Sequence, residues 1–431
     1  MKPLSTKAIS VKESSTLIIT AKAKAIKAAG ENLIAFTAGE PDFDTPEHIK
    51  EAAYIAAREG FTKYTATPGI PELRKAISDK LLCDNGLKYT PNQIVVSNGA
   101  KHALSNVFTA IINEGDEVII LSPYWLTYPE LATLTGGVSK YVVTEKSNGY
   151  KPTAKQILEA VTPNTKALLI NSPNNPSGAV YSLEELKEIA EIAVQNDIYV
   201  ISDEIYEKLI YNEETPHYSI ASLGEEIYKR TIIVNGYSKS YSMTGWRVGY
   251  TASSIEIAEV MANIQSHQTS NINTLTQKAA LAAQTGEQEC IEQMRQAFAK
   301  RKALMYKLIC EIPALEANEP DGAFYVFADI TKLIGKSYNG KPITNGAIFA
   351  ELLLEDQKVA LVPCADFGFP NHIRLSYATS EEEIVEGMGR LKHFVNNLMG
   401  ATPFGPGRCS RRAKRVPPAH SGILRAEKTC S

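Results

Sequence analysis

The sequence of 431 residues contains no uninterrupted apolar run near the roughly 18 residues that a membrane-spanning helix requires. Its short N-terminal run, Leu17-Ile18-Ile19, is bounded by Thr, Lys and Ser, so the apolar stretch of a secretory signal is also missing. Six cysteines (Cys83, Cys290, Cys310, Cys364, Cys409, Cys430) form no C-x-x-C pair and no metal-finger spacing. That pattern reads as reduced thiols, no bound metal and a cytoplasmic location. Net charge is small, −3 from 45 Lys+Arg against 48 Asp+Glu, so the molecule as a whole carries no field that would gather nucleic acid or anionic membrane. Internal repeats are missing too, and 27 Gly with 22 Pro are too few for a collagenous or low-complexity chain. What remains is ordinary globular composition, 44% apolar and 22% charged, on a length that allows two or more folding units.

The small net charge hides an uneven distribution. Residues 401–431 hold seven Arg and Lys against the single acid Glu427, a net +6, which leaves −9 for residues 1–400. Too poor in apolar residues to fold, this tail reads as a disordered appendage. Binding of nucleic acid by it is disfavoured, because no aromatic residue interleaves the charges.

Upstream, β-branched runs alternate with helical patterns: Gln93–Ser97 before Ala100–Asn113, Glu117–Leu121 before Tyr128–Leu134, Ala167–Asn171 before Leu183–Asn196, then Ile198–Ser202 and Thr231–Asn235. Such alternation predicts βαβ crossovers and a mainly parallel sheet. Runs such as Ala167-Leu168-Leu169-Ile170 are apolar throughout rather than alternating, as strands buried on both faces are. The pattern predicts a large α/β domain over 48–280. A smaller α+β domain is expected over 281–400, with 1–47 as an N-terminal segment belonging to it. Helical stretches are expected at about 254–265, 274–309 and 381–398, and strands at Gly322–Asp329, Lys358–Val362 and Ile373–Tyr377.

Open α/β sheets bind ligands beyond the carboxyl ends of their strands. Polar residues collect there in this sequence. Asn171-Ser172-Pro173-Asn174-Asn175-Pro176-Ser177-Gly178 follows one strand, Asp203-Glu204-Ile205-Tyr206 another, and Gly236-Tyr237-Ser238-Lys239-Ser240 a third, with Arg247 eight residues beyond Lys239. Asn98-Gly99-Ala100-Lys101 leads from a strand directly into a helix, whose free N–H groups and positive dipole end suit a phosphate. Ser238 and Arg247 would add a hydroxyl and a guanidinium to the same anion. Lys239, at the end of a buried strand, is placed to be desolvated and so to become an amine nucleophile toward carbonyls. Asp203 could equally cap the turn before Ile205. Together these residues supply a phosphate cradle, a carbonyl-seeking amine and a carboxylate, with Asn175 and Tyr206 as hydrogen-bonding groups. That set meets the needs of pyridoxal 5′-phosphate.

Six ordered motifs then resemble the fold-type I pyridoxal-phosphate aminotransferases of class I, and among them the bacterial-type aspartate aminotransferases. They are Ala38-Gly39-Glu40-Pro41-Asp42-Phe43, Tyr64-Thr65-Ala66-Thr67-Pro68-Gly69, Ser172–Gly178, Ser202–Tyr206, Ser238-Lys239-Ser240 with Gly245-Trp246-Arg247-Val248-Gly249, and Ile373-Arg374-Leu375-Ser376. The likeness runs from about Leu4 to Met399. It implies a large domain built on a mainly parallel seven-stranded sheet plus a smaller α+β domain, and transfer of the amino group of L-aspartate to 2-oxoglutarate. It also implies that Lys239 holds the cofactor as a Schiff base and later shuttles the substrate proton, that Asp203 pairs with the pyridine N–H, and that Tyr206 and Asn175 bond the 3′-oxygen. Trp125 would stack on the ring. Gly99, Ala100, Ser238 and Arg247 would hold the phosphate, joined by Tyr64 from the second subunit of a homodimer, with Lys101 also among the cofactor-binding residues. Arg374 would fork the substrate α-carboxylate, with Gly39, Asn175 and Trp125 beside it.

One departure bears on the substrate. Other branches of the resembling family reach the distal carboxylate with a second arginine, where this sequence has Ser266; Lys101 with Thr16 would serve instead. Lys12 beside Thr16 leaves prephenate open as a further substrate. Aromatic or other amino donors, or a lyase of the same fold, are the alternatives. A DNA-binding regulator on this fold would need a helix-turn-helix domain, for which no room is expected ahead of the Gly39 motif.

Overall fold

The computed structural model describes residues 2–212 and 214–399, so the basic tail expected at 401–431 lies outside the described residues. Seven strands form the large sheet: β1 (Ile94–Ser97), β2 (Glu117–Leu121), β3 (Val138–Val142), β4 (Thr165–Asn171), β5 (Tyr199–Asp203), β6 (Thr231–Gly236) and β7 (Gly249–Ala252). Their spatial order is β1-β7-β6-β5-β4-β2-β3. Six run parallel, and β7 lies antiparallel between β1 and β6.

Burial on both faces explains the continuous apolar runs. Along β2 and β4 the side chains of Val118, Ile120 and Leu169 pack toward helices α1 (Ala100–Ile111) and α2 (Thr127–Thr135). Their neighbours Ile119, Leu121, Leu168 and Ile170 pack oppositely, against α3 (Leu183–Gln195). Helix α3 begins at a capping box in which Ser182 and Glu185 exchange backbone N–H bonds. Helix α4 (Ile255–Gln268) lies beside α1 and sends Gln265 under β1, where its amide bonds Ser97, Asn106 and the Val96 carbonyl.

The smaller α+β domain centres on an antiparallel sheet in which β8 (Tyr325–Asp329) pairs with β9 (His372–Ser376), flanked by Glu316–Ala317 and Val362–Pro363. Near the N-terminus, Ile34–Ala35 pairs in parallel with Val359–Ala360, fastening the leading segment to this domain.

Several expected elements differ. Strands β3 and β7 carry no clear strand pattern in the sequence: β3 is an edge strand with Val138 and Tyr141 exposed, and β7 opens on glycine straight out of a loop. The helix expected over 274–309 is two, Thr274–Thr285 and Glu289–Cys310, broken where Gly286 lies extended and so close to the Ala282 carbonyl that a Cβ would sit 2.6 Å from it. The strand expected over 358–362 is split between two sheets. Cys290 and Cys364 are free thiols, whereas Cys83 and Cys310 are each in disulfide form, which corrects the expectation that every cysteine is reduced. Sequence spacing reports only on local pairs, not on thiols brought together by the fold. No helix among the described residues is long and apolar enough to cross a membrane.

Candidate active site

The carboxyl ends of β4, β5 and β6 are adjacent in the sheet, and each delivers polar residues to one place. Asp203 ends β5 and is only 3% exposed. Its Oδ1 accepts the Ile205 N–H at 3.2 Å, the turn-capping bond expected of an aspartate here, and its Oδ2 accepts the Tyr128 hydroxyl at 2.7 Å. Burial raises the carboxyl to about 6, although the Tyr128 and Ile205 bonds pull it down. Lys239, three residues past β6, donates its Nζ to the Gly39 carbonyl and lies 6.0 Å from the Tyr206 ring centre and 5.8 Å from that of Phe324. Burial lowers the amine to about 8; Glu40 and Asp203 oppose that shift, while Arg374 and Arg247 assist it.

Arg374 enters from β9 of the smaller domain and is 2% exposed. Its Nη1 donates to Asn175 Oδ1 at 3.0 Å and its Nη2 to the Thr37 carbonyl at 3.3 Å, both neutral acceptors, and its buried Nε has no partner. A guanidinium enclosed without a carboxylate is costly unless an anion completes it. Asn175 is held in turn by its own N–H, which donates to Asn171 Oδ1 at 2.9 Å. The Tyr206 hydroxyl meets the Tyr325 hydroxyl at 3.0 Å.

At the start of α1, Gly99 adopts φ +82°, and a Cβ there would lie 2.5 Å from Arg247 Nη2. Only glycine lets the guanidinium close on the turn. Arg247 itself has φ +55°, a left-handed conformation uncommon outside glycine, and donates to the Thr244 carbonyl at 2.8 Å. The first N–H groups of α1, from Ala100 and Lys101 onward, have no intrahelical acceptor. Ser238 is buried beside Lys239. Lys101 lies 4.9 Å over the Trp125 ring, and burial followed by the Arg247 charge lowers its amine. Trp125 meets Tyr128 edge to face at 5.6 Å. On the N-terminal helix Ser15–Ala28, Ser15 and Thr16 each carry a buried hydroxyl oxygen without a partner, and Ile19 packs in the same cluster as Trp125. Ser266 is exposed, bonded to the Asn263 carbonyl. Tyr64 stands apart from this cluster, 91% exposed on the single chain.

Four further contributors are not evident from the sequence pattern. Tyr128 lies three residues after Trp125, at the start of α2, and that proximity is the one signal that could reveal it. Glu40 follows Gly39 in the Ala38–Phe43 motif, and Thr37 lies immediately before that motif. Tyr325 sits in an apolar strand and gives no signal.

A second buried polar group adjoins the first. Glu204, Glu207 and His217 bring ligand atoms within 4.8 Å of one another, but their capacity is already taken. Glu204 accepts from Ser202, Ser219 and His217, and Glu207 is ion-paired to Lys80.

Three features fit a ring that bears an anion, a carbonyl and a protonated nitrogen: the glycine-lined turn against Arg247, the partly desolvated amine of Lys239, and the buried Asp203 carboxylate paired only with neutral donors. A family model described as aminotransferase class I and II matches residues 31–391. The aspartate aminotransferase of Bacillus sp. (strain YM-2) is 47% identical over 382 residues, covering 89% of this chain and 96% of that protein. A probable aspartate/prephenate aminotransferase of Aquifex aeolicus is 47% identical over 399 residues, covering 92% of this chain and 100% of its own. Among solved structures, the aspartate aminotransferase of Thermus thermophilus with maleate superposes with a TM-score of 0.86 at 42% identity, covering 91% of this chain and 100% of that one.

Proposed function

The chain belongs to the class I and II aminotransferases, and from that premise we propose that it transfers the amino group of L-aspartate to 2-oxoglutarate, yielding oxaloacetate and L-glutamate, with pyridoxal 5′-phosphate as cofactor. The observation that carries this reading is the buried Arg374 guanidinium, short of an anion and sharing its surroundings with the Lys239 amine. Bound there, the cofactor supplies an electron sink for the pair left on the substrate α-carbon. Every other part of the work falls to the chain.

Lys239 would hold the cofactor through its Nζ and, when the substrate amine takes its place there, would accept the proton of the substrate α-carbon at the same atom; an amine near 8 is available as a base in useful fraction at neutral pH. Asp203 keeps the ring nitrogen protonated, its charge fixed by Tyr128. Tyr206 and Asn175 hydrogen-bond the 3′-oxygen, and Trp125 covers the ring face. Gly99, Ala100, Ser238 and Arg247 would hold the phosphate, with Lys101 at the rim of the cofactor site. Arg374 grips the α-carboxylate as a planar fork, with Gly39 beside it, and Lys101 with Thr16 reads the distal carboxylate. The exposure of Tyr64 supports its use by a second copy of the chain, so the working form is a homodimer with shared sites. We divide the chain at 48–280 for the large domain, with 1–47 and 281–400 as the smaller one.

A visible spectrum of the cofactor-loaded protein tests the reading. L-aspartate should remove the lysine-bound cofactor band, and 2-oxoglutarate should restore it. A band that responds only to another amino acid would move the specificity, and no band at all would refute the function. The name of the Aquifex relative and the unpartnered Thr16 hydroxyl favour prephenate as a second acceptor, which the same titration checks by replacing 2-oxoglutarate with prephenate.

A further inference from the structure

Tyr325 is 1% exposed and lies in β8, two residues before Phe327, which stands directly opposite Arg374 in β9. That register puts Tyr325 diagonally across from Arg374 on one face of the sheet, within reach for a large side chain. Both ends of the tyrosine are engaged. The Arg374 guanidinium carbon lies 4.3 Å from its ring centre, and its hydroxyl is 3.0 Å from that of Tyr206. The ring is further fixed edgewise by Tyr206 at 6.0 Å and by a tilted contact with Phe324 at 4.6 Å.

We propose that Tyr325 is a positioning residue joining the two halves of the site, its hydroxyl aiming the Tyr206 proton and its ring face seating the Arg374 guanidinium. The inference rests on the function proposed above and adds a residue to it. A phenol has one proton to give. Tyr206 can direct its proton at a ring oxygen only if the Tyr325 hydroxyl is the donor between the two phenols. The cation against its ring makes Tyr325 the better acid of the pair, and hence the better donor. Arg374, whose hydrogen bonds leave Nε without a partner, is held in plane by the ring beneath it. One side chain thus sets the donor strength at the cofactor and the orientation of the fork for the substrate carboxylate.

The two roles separate by substitution. Cofactor-loaded wild type, Tyr325→Phe and Tyr325→Leu are compared by pH titration of the lysine-bound cofactor band and by equilibrium binding of maleate. Tyr325→Phe keeps the ring and loses only the hydroxyl. Its band midpoint should rise by roughly half a unit to one unit, about the effect of one hydrogen bond, with maleate affinity within about twofold of wild type. Tyr325→Leu should show the same rise and also bind maleate about 3- to 10-fold more weakly. An unmoved midpoint in Tyr325→Phe overturns the proposal, as does unchanged maleate affinity in Tyr325→Leu. A purely structural role, which lowers only the melting temperature, does the same. If Tyr325→Leu does not fold, Tyr325→Phe still decides through its midpoint. Absence of the band from wild type would refute the function itself, whereas a normal wild-type band with an unmoved Tyr325→Phe midpoint refutes this inference alone.

Discussion

Asp203 and Glu207 are four residues apart, both deeply buried, and their environments push them in opposite directions. Glu207 is ion-paired to Lys80, whose own side chain is buried and also bonds Asn85 at 3.0 Å, while Lys208 pairs with Asp84 nearby at 2.7 Å. Those cations overcome burial and hold Glu207 down at about 2. Asp203 has only neutral donors and rises to about 6. Arg374 is its counterpart of opposite sign, a buried cation bonded to neutral acceptors. The difference separates two uses of a buried charge. Where the counter-ion belongs to the fold, the group is inert structure; where it is left out, the group waits for a ligand to supply it.

Removing the reactive amine tests the open set most severely. Lys239→Ala should cut turnover of aspartate by at least about 10³-fold while leaving the melting temperature at or above wild type, because a desolvated amine has been deleted. A variant that unfolded instead would place Lys239 with the closed set. On the closed side, Lys80→Met should cost about 3–5 kcal/mol in urea unfolding by stranding Glu207, and the folded fraction should retain its KM for aspartate. A stability change below about 1 kcal/mol would mean the pair is not enclosed.

The two carboxyls also predict opposite responses to pH. Asp203 titrates above its ordinary 3.8, so the native chain binds that proton more tightly than the unfolded chain, and stability falls as pH rises from about 3.8 to 6. Glu207 titrates below its ordinary 4.5, so its support is complete above that value and is lost as pH falls toward 2. Cofactor-free protein should therefore gain about 1 kcal/mol through Asp203 on going from pH 7 to pH 5. Asp203→Asn should remove that gain, as measured by urea midpoints at the two pH values; equal gains in both proteins would show that the charge is compensated after all. The smallest effect distinguishes the two cations proposed for substrate. Lys101→Ala should lower kcat/KM for aspartate about 10-fold and for phenylalanine about twofold, whereas Arg374→Ala should weaken both donors alike. Equal losses in Lys101→Ala would remove it from side-chain recognition.

Much of this arrangement is legible in the amino-acid sequence, for a reason specific to parallel sheets. Strands buried on both faces read as apolar blocks, so the polar residues that interrupt them, Asn171–Gly178, Asp203–Tyr206 and Ser238–Ser240, mark the strand ends where ligands bind. The same logic hides other residues. Tyr325 lies within Ala323-Phe324-Tyr325-Val326-Phe327, where an aromatic reads as core, and only the pairing of β8 with β9 brings it to Arg374. Tyr128 reads as one more buried position of α2 until β5 places Asp203 against its hydroxyl. Strand β3 is short of apolar residues because half of it faces water, and β7 begins inside a motif whose glycines and arginine suggest a loop.

The direction of β7 has a further consequence. Because that strand runs against its neighbours, its first residue, Gly249, stands opposite the last residues of β1 and β6, Ser97 and Gly236. Arg247, two residues earlier, is therefore delivered to the edge where the other strands finish. A seventh strand running with the rest would begin at the far edge, about 13 Å away for four residues, and would carry the guanidinium with it. Strand polarity is thus a coordinate of the anion site, as much as any side chain in it. A rewired chain could keep every apolar contact of the sheet and still leave the Gly99 turn facing no cation.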